Sequence, residues 1–133
     1  FEVMGGTAGV SDPGGELTEN AMDSRVAGLE REVFAAAFLD TRHRLIEYLE
    51  MFQGTIDGAE VHPREVVRQA LRCNAAAVIV SHKHPSGTAD PSAADRAVTA
   101  RLKQALALVD VRLLDHIIVA GSTSLAMADR GWV

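Results

Sequence analysis

Compact apolar runs alternate with amphipathic stretches along the chain, and the two periods predict strands and helices in turn. Val33 to Leu39 is a continuous apolar run rich in Phe and Ala, and Leu45 to Phe52 mixes apolar with acidic residues. Asp40-Thr41-Arg42 between them reads as a turn, so two adjacent antiparallel strands are the simplest prediction. At Val61-His62-Pro63-Arg64-Glu65 the period changes. Val66, Val67, Ala70 and Leu71 recur at helical intervals, Pro63 suits the first helical position, and Asn74 stands near the end. Ala75 to Val80 predicts a strand buried on both faces. A helix is predicted from about Ser92 to Leu108, with Val98, Leu102, Ala105, Leu106 and Val109 as its apolar positions. Val111 to Ala120 predicts a further strand, interrupted at Asp115-His116, and Ser124 to Met127 a short edge strand.

This order predicts an α/β domain with a mixed central sheet flanked by helices. It is mixed because the first strand pair is hairpin-linked while the later strands are separated by helices. Residues 1–22 carry Gly5-Gly6, Gly9 and Asp12-Pro13-Gly14-Gly15 with few large apolar side chains. They read as a flexible tail or linker, leaving one domain over residues 23–133. A short helix is expected from Ser24 to about Glu30, with Val26 and Leu29 on one stripe. The chain opens on Phe1 rather than Met, as a processed or trimmed fragment would.

Composition narrows the function classes. With 133 residues, 47% of them hydrophobic, the chain can build one core without disulfides. A net charge of −5 reads against general nucleic-acid binding, which favours a basic surface. The single cysteine, Cys73, excludes an internal disulfide, fits a reducing cytoplasm, and is expected as a small buried apolar residue. No apolar run reaches the roughly 18 residues of a membrane span, and no signal peptide is legible.

The chemistry concentrates between His82 and Asp95. In an extended segment, residues i and i+2 point to the same side, so His82 and His84 can converge on one ion while Lys83 points away. Asp95, one turn into the next helix, can close the set. Three protein ligands leave a position open for water, as in catalytic zinc sites. The same residues have a plainer reading: Ser92-Ala-Ala-Asp95 after Pro91 is a good capping box. A base for the water is also needed, and Glu30, Glu32, Glu47, Glu50 and Glu60 are all open. Alternation favours Glu32, which shares a strand face with Phe34, Ala36 and Phe38; a carboxylate there is costly unless paired or used. Of the other histidines, His62 reads as a helix cap, His43 as exposed in a turn, and Asp115-His116 as buried hydrogen-bonding groups behind the site.

Taken together, His82-x-His84-Pro85, six residues and then Ser92-x-x-Asp95 resemble the JAMM (MPN+) metalloprotease motif. Further stretches are similar to the RadC-like domain of bacteria over about residues 25–130. They include Arg31-Glu32-Val33-Phe34, Phe38-Leu39-Asp40-Thr41, Gly54-Thr55, Val61-His62-Pro63-Arg64-Glu65, Asn74-Ala-Ala-Ala, His84-Pro-Ser-Gly and Leu114-Asp115-His116-Ile117. The resemblance implies a cytidine-deaminase-like fold and Zn2+ held by His82, His84 and Asp95. It also implies Glu32 as general acid and base, Ser92 as a donor to the oxyanion, and a peptide or protein substrate cut at a peptide or isopeptide bond. One departure stands out: Lys83 occupies a position where the RadC-like pattern usually has Asn. The family's historical name suggests an alternative, a DNA-repair accessory module without hydrolytic activity. RadC-like proteins often carry a helix-hairpin-helix segment before this domain; none is legible here, which with the acidic balance argues against direct DNA binding by this fragment. A metal-free scaffold is a further reading, which the complete ligand set argues against. A nucleobase deaminase is disfavoured because its His-x-Glu and Pro-Cys-x-x-Cys elements are missing.

Overall fold

A computed structural model describes residues 33–53, 61–84, 89 and 91–133. The expected tail, the helix at Ser24–Glu30 and Glu32 lie outside the described residues. Strands β1 (Val33–Leu39) and β2 (Leu45–Gln53) form the antiparallel pair expected from the sequence. By propensity alone, Ala35-Ala36-Ala37 suits a helix. The surrounding sheet overrides that preference: β1 lies between β2 and β3, every residue of it is buried, and small side chains fit where both faces are packed. Asp40 closes the hairpin, accepting from the amides of Arg42 and Arg44 at 2.8 and 2.9 Å. Exposed His43 completes the turn with φ 60°.

Helix α1 (Pro63–Arg72) begins with Pro63 in its first turn. His62 occupies the N-cap position, but its side chain makes no capping bond, contrary to expectation. The ring packs edge-on against Phe52 instead, 6.0 Å between centroids. The buried stripe of α1 is Val66 and Ala70; Leu71, expected to join it, is 56% exposed. The helix ends in a Schellman turn: Asn74 takes φ 57°, and Ala75 N–H returns to the Ala70 carbonyl at 2.8 Å. Ala75 is thereby committed to the helix end, so β3 (Ala77–Lys83) starts two residues later than predicted and runs through His82. Cys73, just before this turn, is only partly buried.

Helix α2 (Ala93–Ala107) ends the same way, with Asp110 at φ 60° and Val111 N–H bonded to the Leu106 carbonyl at 3.0 Å. It leads into β4 (Arg112–Ala120), then edge strand β5 (Thr123–Ala126) and a 3-10 turn over Met127–Arg130. The predicted break at Asp115-His116 does not occur. A register shift against β3, where Val78 pairs with Leu113 but Ile79 with Asp115, takes up Leu114 as an extra residue. Both polar residues then fit inside a continuous strand.

The strand order is β2-β1-β3-β4-β5, and among the described residues only β3 and β4 run parallel, joined through α2. This is the mixed sheet of an α/β domain. Alternation divides its apolar residues between two buried faces. Phe34, Ala36, Phe38, Val78 and Val80 pack with Val66 and Ala70 of α1 and with Val98, Leu102 and Leu106 of α2. Val33, Ala35, Ala37, Leu39, Tyr48, Ile79 and Ile117 occupy the opposite face. Among the described residues no helix is long and apolar enough to cross a membrane.

Candidate metal centre

In β3, Val78 and Val80 face the helices, and the period of two brings His82 to the same side. His82 is 2% exposed and pairs in register with Phe34 of β1. One further step of two brings His84 alongside it, just past the strand end. Its backbone N–H is anchored to the Val119 carbonyl of β4 at 2.7 Å. The two rings lie 5.4 Å apart, centroid to centroid.

Asp95 arrives from the opposite side. Ser92 is the N-cap of α2, and the expected capping box forms: Asp95 N–H donates to Ser92 Oγ at 3.0 Å, and Ser92 N–H donates to Asp95 Oδ2 at 2.8 Å. The capping and ligand readings of Asp95 are therefore compatible, because the cap aims the carboxylate at the histidines. Asp95 Oδ1 lies 3.2 Å from His82 Nδ1, and Oδ2 lies 3.1 Å from His84 Nε2. Burial alone would raise the Asp95 carboxyl. Hydrogen bonds from His82 and Ser92, with the His82 charge, overcome it and hold the carboxyl far below the ordinary range. The neighbouring Arg96 does not compete for this anion; its guanidinium lies 4.4 Å over the Trp132 ring.

One potential ligand atom from each of His82, His84 and Asp95 lies within 4.8 Å of the other two. Bonds of about 2.0–2.2 Å to a tetrahedral zinc ion put ligand atoms roughly 3.3 Å apart, so small side-chain rotations complete the fit. His82 Nε2 is buried without a hydrogen-bond partner among the described residues, as befits an imidazole with more bonding capacity than the protein uses. Two imidazoles and an ionised carboxylate form a donor set that fits a divalent metal ion.

Behind this cluster lies a buried polar group that the sequence reading touched only at Asp115-His116. Thr99, one helical turn after Asp95, donates to the Asp95 carbonyl at 2.7 Å, and its oxygen lies 2.6 Å from His116 Nδ1. Asp115 Oδ1 accepts from the amides of His116 and Ala128 at 2.7 and 2.9 Å, tying β4 to the 3-10 turn. Phe34 touches both buried rings, 6.5 Å from His82 and 5.7 Å from His116. His116 is outside the ligand cluster. Thr99 escaped the sequence reading, although a signal existed. Asp95, Val98, Thr99, Leu102 and Leu106 share one buried helical stripe, on which Thr99 is a polar residue needing partners.

Residues 15–132 match the RadC-like JAB domain family. The chain belongs to that family. A UPF0758 protein of Vibrio cholerae serotype O1 is 55% identical over 118 residues, covering 89% of this chain and 74% of the relative. One of Xanthomonas campestris pv. campestris is 62% identical over 109 residues, covering 82% and 48%, and one of Nitrosococcus oceani is 54% identical over 122 residues, covering 92% and 54%. The RadC-like chain thus spans about half the length of the latter two relatives. JAB domains include metalloproteases, and this RadC-like domain brings together a His-His-Asp cluster able to hold a metal.

Proposed function

We propose that the domain is a zinc-dependent metallohydrolase that cleaves a peptide or isopeptide bond of a protein substrate in the cytoplasm. The observation that carries this reading is the convergence of His82, His84 and Asp95 at the end of β3 in a chain of the JAB family. These three side chains would hold the zinc ion, which when bound acidifies water and polarises a carbonyl. Glu32 takes a proton from the attacking water and returns it to the leaving amine. Its support is the sequence motif, together with its place one residue before β1, whose Phe34 pairs with His82. Ser92 donates to the developing oxyanion. Capping does not preclude this, because Ser92 Oγ accepts from Asp95 N–H through a lone pair and keeps its own proton. Phe34, with its ring centroid 6.5 Å from that of His82 and backed by Phe52 at 6.0 Å, supplies an apolar neighbour that limits water beside His82.

Elemental analysis of protein purified without chelator tests the reading. About one zinc per chain is expected, lost in His82→Ala and in His84→Ala; full retention in both variants overturns the site. Glu32→Gln is expected to keep the metal and lose hydrolysis of a peptide and isopeptide library. Normal turnover by that variant removes Glu32 from its role.

A further inference from the structure

We propose that Thr99 and His116 are a positioning pair that fixes the main chain of Asp95, and through it the carboxylate, against the two histidines of β3. The inference rests on the metal reading above and assigns a role to two residues outside the ligand set.

Proton accounting makes the pair specific. Thr99 Oγ1 has one proton and, among the described residues, three polar neighbours: the Asp95 carbonyl at 2.7 Å, His116 Nδ1 at 2.6 Å and Met127 Sδ at 3.6 Å. The carbonyl can only accept, so a contact of 2.7 Å between two oxygens requires the Thr99 proton. The thioether can only accept as well. His116 Nδ1 is then the sole neighbour able to fill a lone pair of Thr99 Oγ1, which fixes the imidazole as its Nδ1–H tautomer. His116 Nε2 consequently carries a bare lone pair, consistent with its being buried and unpartnered among the described residues. The outcome is a directed chain from His116 Nδ1–H to Thr99 Oγ1–H to the Asp95 carbonyl. Every member is buried, with Thr99 0%, His116 1% and Asp95 1% exposed.

The chain spans two elements with different jobs. Asp95 and Thr99 belong to the first turns of α2, whereas His116 belongs to β4, which pairs with the strand that carries His82. Within β4, His116 is itself fixed by the Asp115 carboxylate on its amide. The hydrogen bonds therefore set how deeply the N-terminal end of α2 sits on the sheet. A helix that rode outward would carry Asp95 away from His82 and His84 together. A threonine bonding only to the carbonyl four residues back would be an ordinary helix feature. The imidazole donor makes it a cross-link from the helix that carries Asp95 to β4, the strand paired with the one that carries His82.

Three measurements test the pair. Zn2+ affinity by chelator competition, with the visible spectrum of Co2+ substituted for zinc, is compared for wild type, Thr99→Val and Thr99→Ser. Thr99→Val is expected to weaken Zn2+ binding roughly 10- to 100-fold, the range for groups supporting metal ligands, and to alter the Co2+ spectrum. Thr99→Ser is expected to restore both to near wild type. The unfolding midpoint of each metal-free variant is measured in parallel. If Thr99→Val lowers that midpoint but binds Zn2+ as tightly as wild type, the pair is merely structural and the proposal is overturned. A wild type that binds no Zn2+ overturns the metal reading and this inference with it. Should Thr99→Val fail to fold, nitrogen-15 NMR of the histidines in metal-free wild type decides. The Nδ1–H tautomer is expected for His116, and the Nε2–H tautomer overturns the proposal.

Discussion

His116 should make the stability of the metal-free domain fall on mild acidification. The ring is 1% exposed, and burial, offset in part by the Asp95 charge, lowers its pKa from 6.5 to about 4. Between those values the unfolded chain binds a proton that the folded chain refuses, so stability is present above about pH 6.5 and is lost as pH falls toward 4. The two pKa values set the size: about 2 kcal/mol is lost between pH 8 and pH 5, approaching roughly 3 kcal/mol at pH 4. Asp95 has a depressed carboxyl, so its contribution is lost only below the ordinary carboxylate range, outside this window. The assay is urea unfolding in a chelating buffer from pH 8 to pH 5, on wild type and on His116→Asn, which removes the titration while keeping a donor toward Thr99. With a urea slope of about 2 kcal/mol/M, the wild-type midpoint drops by about 1 M across this range from this group. The variant is expected to lack most of that drop. Parallel curves for the two proteins would refute a buried neutral His116 as the cause.

Further outcomes follow from single side chains. Ser92→Ala removes the hydroxyl cap of α2 and should reduce stability by about 1 kcal/mol in urea unfolding. Zn2+ affinity in chelator competition should stay within a few-fold, because Asp95 is still bonded by the Ser92 amide; a large loss would mean the hydroxyl holds the ligand. Leu102→Ala opens a cavity at a position 0% exposed and should destabilise by about 2–5 kcal/mol, whereas Leu108→Ala, 87% exposed, should stay within about 0.5 kcal/mol. Asp110→Gly relieves both a left-handed backbone at φ 60° and a negative charge at a helix C-terminus. It should raise stability by up to about 1 kcal/mol, measurable as a higher urea midpoint.

Where one period dominates locally, the fold is legible in the sequence. The hairpin of β1 and β2, the Pro63 start of α1 and the Ser92 start of α2 each carry a signal within a few residues. Ala75 misleads because alanine serves a helix end as well as a strand, and only its bond back to Ala70 decides between them. Asp115-His116 misleads for the opposite reason. A polar pair in an apolar run resembles a break until the register shift against β3 and the partners Thr99 and Ala128 are known. In the candidate site, strand alternation makes the pair His82 and His84 readable, whereas Asp95 reads equally as a capping residue until the family resemblance joins it to them. The contribution of Thr99 was not readable, since its partner His116 lies on another element 17 residues away.

The two Schellman turns have a consequence beyond local geometry. Asn74 and Asp110 sit at the end of the sheet where β3 and β4 begin, and Arg112 N–H bonds there to the Ala76 carbonyl. The candidate site occupies the far end, where His84 is tied to Val119. Seven strand residues, roughly 23 Å at about 3.3 Å per residue, separate those two backbone ties. Substitutions beyond about 10 Å that share no partners are nearly additive. The turns and the candidate site therefore occupy opposite poles of one sheet. The turn pole offers a place to strengthen the scaffold, and gains made there can be combined with changes at the candidate site without retuning either.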